Sequence, residues 1–168
     1  MDLLKKRIQH FVDTALKDDS IYIFESVFFQ QVLNELVLYS DCTADEMVAF
    51  ILDIEKILKP LNPLFFYLSP SDMEAQINKV AAERLSDNDD LYPDWIDWML
   101  EYVKKSKYGE RNTVESRADL MTYFAMRAEI EKKAFESLSI DKREVLVRHT
   151  NYDVMNQYIY NEVVNLSR

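Results

Sequence analysis

The chain has 168 residues, a formal charge of −10 at pH 7, 48% hydrophobic residues and 30% charged residues. That balance excludes a disordered segment and gives enough length for one packed domain over residues 1–168, while its acidity argues against nucleic acid or an anionic membrane as the main partner. A single glycine, Gly109, and a single cysteine, Cys42, exclude an intrachain disulfide, a cysteine-based zinc site and any phosphate loop of the GxxxxGKS/T or GxGxxG type.

Residues 3–17 place Leu4, Ile8, Phe11, Val12 and Ala15 three and four apart, which predicts an amphipathic helix and not the apolar run of a secretory leader. After Asp18-Asp19-Ser20, the run Ile21-Tyr22-Ile23-Phe24 is β-branched and aromatic and predicts a buried strand. Helical spacing returns over 27–39 with Phe29, Leu33, Leu36 and Val37. Thr43-Ala44-Asp45-Glu46 is a capping box, in which hydroxyl and carboxylate each take one end amide. The stripe Met47, Phe50, Ile51, Ile54, Ile57, Leu58 follows it, and Pro60 and Pro63 stop that helix.

Leu64–Leu68 predicts a second buried strand, and Ser69-Pro70 a cap and first turn for a helix running from Met73 to Arg84. An acidic stretch, Ser86–Asp90, leads through Pro93 to a helix with Trp95, Trp98, Met99, Tyr102 and Val103 on one face. Residues 106–117 read as basic and irregular, 118–138 as a long helix, Glu144–Val147 as a third strand and 152–166 as a closing helix. Strands separated by helices predict an α/β fold with a short parallel sheet covered by many helices, an all-α arrangement being the alternative. No apolar stretch approaches the ~20 residues that span a bilayer, so a cytoplasmic protein is expected.

The order of elements resembles the C-terminal two-thirds of the thymidylate-kinase-like P-loop NTPases, especially a bacterial group among them, over about residues 20–165. The resemblance rests on Ile21–Glu25 followed by Ser26-Val27-Phe28-Phe29-Gln30, on Leu61–Leu68, on the helix ending in Glu83-Arg84, and on the Trp-rich helix leading into Ser106–Asn112. It implies a P-loop-kinase-like sheet of family order 2-3-1-4-5, in which the present strands would be the third, fourth and fifth. Strand 1 with its phosphate loop and strand 2 have no counterpart. A shortened chain, direct pairing of the strands at 21–24 and 64–68, or cover from another copy would each account for the gap. An uncovered edge invites self-association.

By resemblance Glu25 would lie near the acid that holds Mg²⁺ or contacts the acceptor nucleoside, although the family's Glu-Arg-Ser is here Glu25-Ser26. Arg84, Lys107 and Arg111 would stabilise charge on a transferring phosphoryl group, with Lys104 and Lys105 beside them. The structural alternatives are a Glu25 carboxylate capping a helix that starts at Val27, and a solvated basic loop neutralising nearby acids. No kinase or ATPase activity is expected of this chain alone, because nothing in it can hold the β- and γ-phosphates. Mg·ATP enters as a cofactor only if a preceding phosphate loop exists, and a nucleoside or nucleotide is the implied ligand.

The alternative function is a non-enzymatic interaction or oligomerisation module. Asp87, Asp89 and Asp90 lack the glycine of a calcium loop, and no metal site is expected. His10, His149 and Cys42 stand apart from any catalytic pattern, Ser26 lies outside a GxSxG elbow, and Trp95 and Trp98 read as core.

Overall fold

A computed structural model describes residues 2–85, 94–147 and 152–166. The expectations for Ser86–Asp90, Pro93 and His149 fall outside the described residues. The elements are α1 (Asp2–Ala15), α2 (Gln30–Tyr39), α3 (Ala44–Leu58), a 3₁₀ turn at Lys59–Leu61, β1 (Leu64–Pro70), α4 (Met73–Glu83), α5 (Trp95–Lys104), α6 (Lys107–Asn112), α7 (Arg117–Ser137), β2 (Asp141–Val147) and α8 (Tyr152–Leu166). The fold is α/β, with 68% of the described residues helical and β1 and β2 forming a short parallel sheet. The chain divides into two compact units, one of Met1–Leu64 with Met99–Asp141 and one of Phe65–Trp98 with Lys142–Arg168.

The first unit is a packed group of helices. In it α1 packs on α3, α3 on α7, and α2 on both α6 and α7. Leu33, Ile51, Ile54, Leu120 and Tyr123 are fully buried in its core. The capping box at Thr43 and Glu46 forms, and Pro60 ends α3 inside the 3₁₀ turn. A second box at Ser116 and Asp119 opens α7. Two lysines, Lys5 of α1 and Lys56, hold the Asp53 carboxylate at 2.7 and 2.9 Å and draw its pKa down to about 2.

Three charged side chains, Glu55, Arg127 and Glu131, enter this core under compensation. Glu55 is buried, and its carboxylate accepts from the amides of Ser139 and, at 2.8 Å, Ile140, which fixes the chain as it leaves α7. Arg127 and Glu131 form a pair one helical turn apart, with side chains 13% and 11% exposed. Their Nε and Oε1 come within 3.1 Å without the N–H pointing at the oxygen, so the contact is electrostatic and not a hydrogen bond. Arg127 also donates to Asn34 Oδ1 at 3.3 Å, the same atom that takes the Tyr123 hydroxyl.

Four expectations are corrected in these regions. Ile21–Phe24 forms no strand: Tyr22 and Phe24 instead set their rings edge-on against Phe11, each at 5.0 Å, while Ile21 and Ile23 are 72% and 87% exposed. A strand needs a neighbouring backbone, and none is paired with this run, so its pairing with 64–68 is not formed either. The following helix starts at Gln30 and not Val27, because Ser26 takes a left-handed conformation (φ 62°). The Glu25 carboxylate therefore caps nothing; the N-cap is Phe29, without a side-chain bond.

Ser69 and Pro70 belong to β1, and Asp72 caps α4 by accepting from the Ala75 amide at 2.9 Å. The segment expected to be irregular contains α6, capped by Ser106, whose hydroxyl accepts from the Gly109 amide at 3.0 Å.

In the second unit β1 and β2 lie with α4 and α8. The Arg143 guanidinium of β2 donates to Glu162 of α8 at 2.8 Å. Among the described residues α4 buries none and β1 only Ser69, while β2 buries Val145 and Val147. Trp98, expected in a core, is 51% exposed. No described helix is long and apolar enough to cross a membrane.

Candidate functional site

Helix α6 presents Lys107 and Arg111 one turn apart, and both meet one acid contributed from far along the chain. Lys107 Nζ is 3.6 Å from Asp41 Oδ2, and the Arg111 guanidinium donates to Asp41 Oδ1 at 3.2 Å. The neighbouring cations are engaged as well, Lys104 with Glu115 and Lys105 with Glu101 at 3.4 Å. All of these pairs face solvent, where such pairs add little to stability, so each cation can be drawn to another anion. Glu25 lies in the same unit, in the turn before α2, where the Ser26 hydroxyl donates to its carboxylate at 3.3 Å. Arg84 closes α4 in the second unit, its guanidinium 5.6 Å from the centroid of the Trp95 ring. Of the four residues named from the sequence, the fold gathers Lys107 and Arg111 around one carboxylate.

Two hollows provide concave surface. In the first unit an open apolar hollow of about 310 Å³ is lined by Leu4 of α1, Val27, Val32 of α2 and Phe50 of α3, with Gln31 and Glu35 as its polar members. Its volume is at the lower bound of ordinary ligand sites. The Glu35 carboxylate is held by the Tyr102 hydroxyl at 3.0 Å, and burial, followed by the bonds with Tyr39 and Glu35, raises the Tyr102 pKa well above the ordinary phenol range. Helical periodicity in 27–39 marked the apolar wall, but nothing local marked Glu35 as the partner of a tyrosine 67 residues on.

In the second unit a smaller hollow of about 210 Å³ sits at the carboxyl ends of the parallel strands. Leu68 and Pro70 of β1 and Val147 of β2 meet Gln76 of α4 and Tyr152 and Met155 of α8 there. Carboxyl ends of parallel strands are where open α/β sheets bind ligands. Lys79 Nζ lies 4.5 Å from the centroid of the Tyr152 ring and donates to its hydroxyl at 3.4 Å, leaving a cation and an aromatic face near the hollow.

Two backbone features complete the inventory. Among the described residues, β1 pairs with β2 alone. Ile21–Phe24 makes no backbone–backbone hydrogen bond, yet its side chains alternate as in a strand, two rings onto Phe11 and two isoleucines outward. Among the described residues no three His, Cys, Asp or Glu side chains gather in a way that could hold a metal ion. No family model, no curated protein and no solved structure matches this chain.

Proposed function

We propose that this chain is a non-enzymatic interaction module whose sheet edge takes up a strand from another polypeptide. The observation that carries this is β1, seven residues from Leu64 to Pro70 with no charged side chain and, among the described residues, β2 as its one strand neighbour. Natural edge strands are normally blunted by charges, prolines, bulges or a covering element, and of these β1 carries a proline at its last residue, Pro70. The other strand follows that rule, since β2 carries Asp141, Lys142, Arg143 and Glu144. A two-stranded sheet is marginal by itself. A third strand added there would extend the main-chain ladder and cover Phe66 and Leu68.

Amide hydrogen exchange of the isolated monomer tests this. The amides of β1 that point away from β2 are expected to exchange like those of an unstructured chain, while those bonded to β2 are protected. Full protection of both sets in the monomer would mean that the edge is already covered and would remove the proposal.

The phosphotransfer reading retains one supporting observation, the hollow at the carboxyl ends of β1 and β2 with Lys79 and Tyr152 beside it. Thermal-shift titration with Mg·ATP, nucleosides and nucleoside monophosphates tests that reading. A ligand at 100 Kd adds ~2.7 kcal/mol of stability. A saturable shift lost in Glu25→Ala or Arg84→Ala would favour a surviving acceptor site, and no shift with any nucleotide would end that reading.

A further inference from the structure

We infer that the hollow of the first unit binds a small aralkyl amine, its ring against the apolar walls and its ammonium group on Glu35. The inference is independent of the reading of β1, since every residue in it belongs to the first unit. Leu4, Val27, Val32, Leu36 and Phe50 make the walls apolar. Gln31 and Glu35 are the polar members, and both lie on α2, four residues apart, so they share one face of that helix.

Glu35 is an acid without a cation. Its Oε1 accepts the Tyr102 hydroxyl at 3.0 Å, and among the described residues its carboxylate forms no ion pair. Other acids of this unit are neutralised: Asp53 holds Lys5 and Lys56, and Asp41 meets Lys107 and Arg111. Lys5 also has its Nζ 5.0 Å from the centroid of the Phe50 ring, but Asp53 holds it at 2.7 Å. A phenol donates a hydrogen bond and brings no positive charge, so the Glu35 carboxylate keeps acceptor capacity for an ammonium group.

Size and charge together select the ligand. A volume of about 310 Å³ suits a single ring on a short chain and not a nucleotide. Phe50 offers an aromatic surface for edge-on or offset contact with that ring. A fatty acid or a phosphate would bring its charge against Glu35, and a neutral aromatic would leave the carboxylate without a counter-charge. The charge of −10 on the chain draws small cations toward its surface.

Two-dimensional amide NMR of the isotope-labelled chain, titrated with phenethylamine, tests the inference. Saturable shifts are expected at Val32, Leu36 and Phe50, with Kd in roughly the millimolar range or tighter, as the ligand's size permits. Phenethyl alcohol, which has the same shape without the charge, is expected to bind about 5-fold more weakly, and phenylacetate not to shift these amides. Glu35→Gln keeps an oxygen for the Tyr102 hydroxyl and removes the charge. It is expected to bring phenethylamine down to the affinity of the alcohol, about 5-fold, while leaving the alcohol unchanged. Val27→Lys charges a wall at a side chain already 44% exposed and is expected to weaken both ligands.

Circular dichroism and the melting temperature establish that each variant is folded. No saturable shift up to roughly 20 mM phenethylamine, or equal affinity for the amine and the alcohol, would overturn the inference. So would phenethylamine binding unchanged by Glu35→Gln, or shifts that centre on residues outside the hollow and survive Val27→Lys.

Discussion

Glu131→Ala is expected to destabilise the protein by about 3–5 kcal/mol, read as a fall in the urea midpoint at unchanged slope. The cause lies in what remains. Arg127 would keep its charge with its side chain only 13% exposed, its guanidinium over the rings of Tyr123 and Phe124 at 5.9 and 5.5 Å. Those rings and the Asn34 carbonyl compensate part of the charge, but they do not replace a carboxylate. Burial, acting first, raises the Tyr123 phenol to about 12, so this hydroxyl stays neutral and supplies no counter-charge below that pH. Removing both charges together, Arg127→Met with Glu131→Leu, should recover most of the loss, because the desolvation cost disappears along with the attraction. A loss below ~1 kcal/mol in the single variant would show that water reaches the pair.

Gly109→Ala comes next, with an expected loss of about 3 kcal/mol, the upper part of the overpacking range. A Cβ placed on Gly109 would stand 2.1 Å from the Val103 carbonyl oxygen and 2.6 Å from that of Lys104. Both are backbone atoms at the end of α5, so no side chain can rotate away. The φ of Gly109 is not positive, and alanine is the better helix former by ~1 kcal/mol, so intrinsic preference alone predicts a gain. Contact overrides preference here. For a chain of this length the loss corresponds to a melting temperature lower by roughly 6–12 °C. An unchanged or higher melting temperature would mean that α6 moves away from α5 without cost.

These two positions illustrate which parts of the structure could be read along the chain. The capping box at Thr43, the stop at Pro60 and the amphipathic stripe between them are decided within one turn, and they form as read. The two paired strands were legible from their apolar runs between helices, and with them the α/β class. Arg127 and Glu131 look in the sequence like any exposed pair one turn apart. Only the packing of α2 and α7 makes them interior. Gly109 stands among lysines and an arginine, which reads as a loop, whereas its role is to let α6 turn back beneath the last carbonyls of α5.

The candidate site divides in the same way. Lys107 and Arg111 were singled out by the family resemblance, but Asp41, which engages both, lies about 70 residues away, beyond any local pattern. Ile21–Phe24 was read as buried because its residues are those of a buried strand, and it lies exposed.

The sequence by itself determined where the described helices other than α6 form, and the capping box that begins α3, because a helix closes its hydrogen bonds within its own length and its caps lie one turn away. It also determined which runs have strand character. The tertiary structure alone decided which of those runs obtained a partner, because a strand's backbone is satisfied only by a neighbour brought from elsewhere in the chain. Leu64–Pro70 and Asp141–Val147 found one another; Ile21–Phe24, with equal strand character, did not.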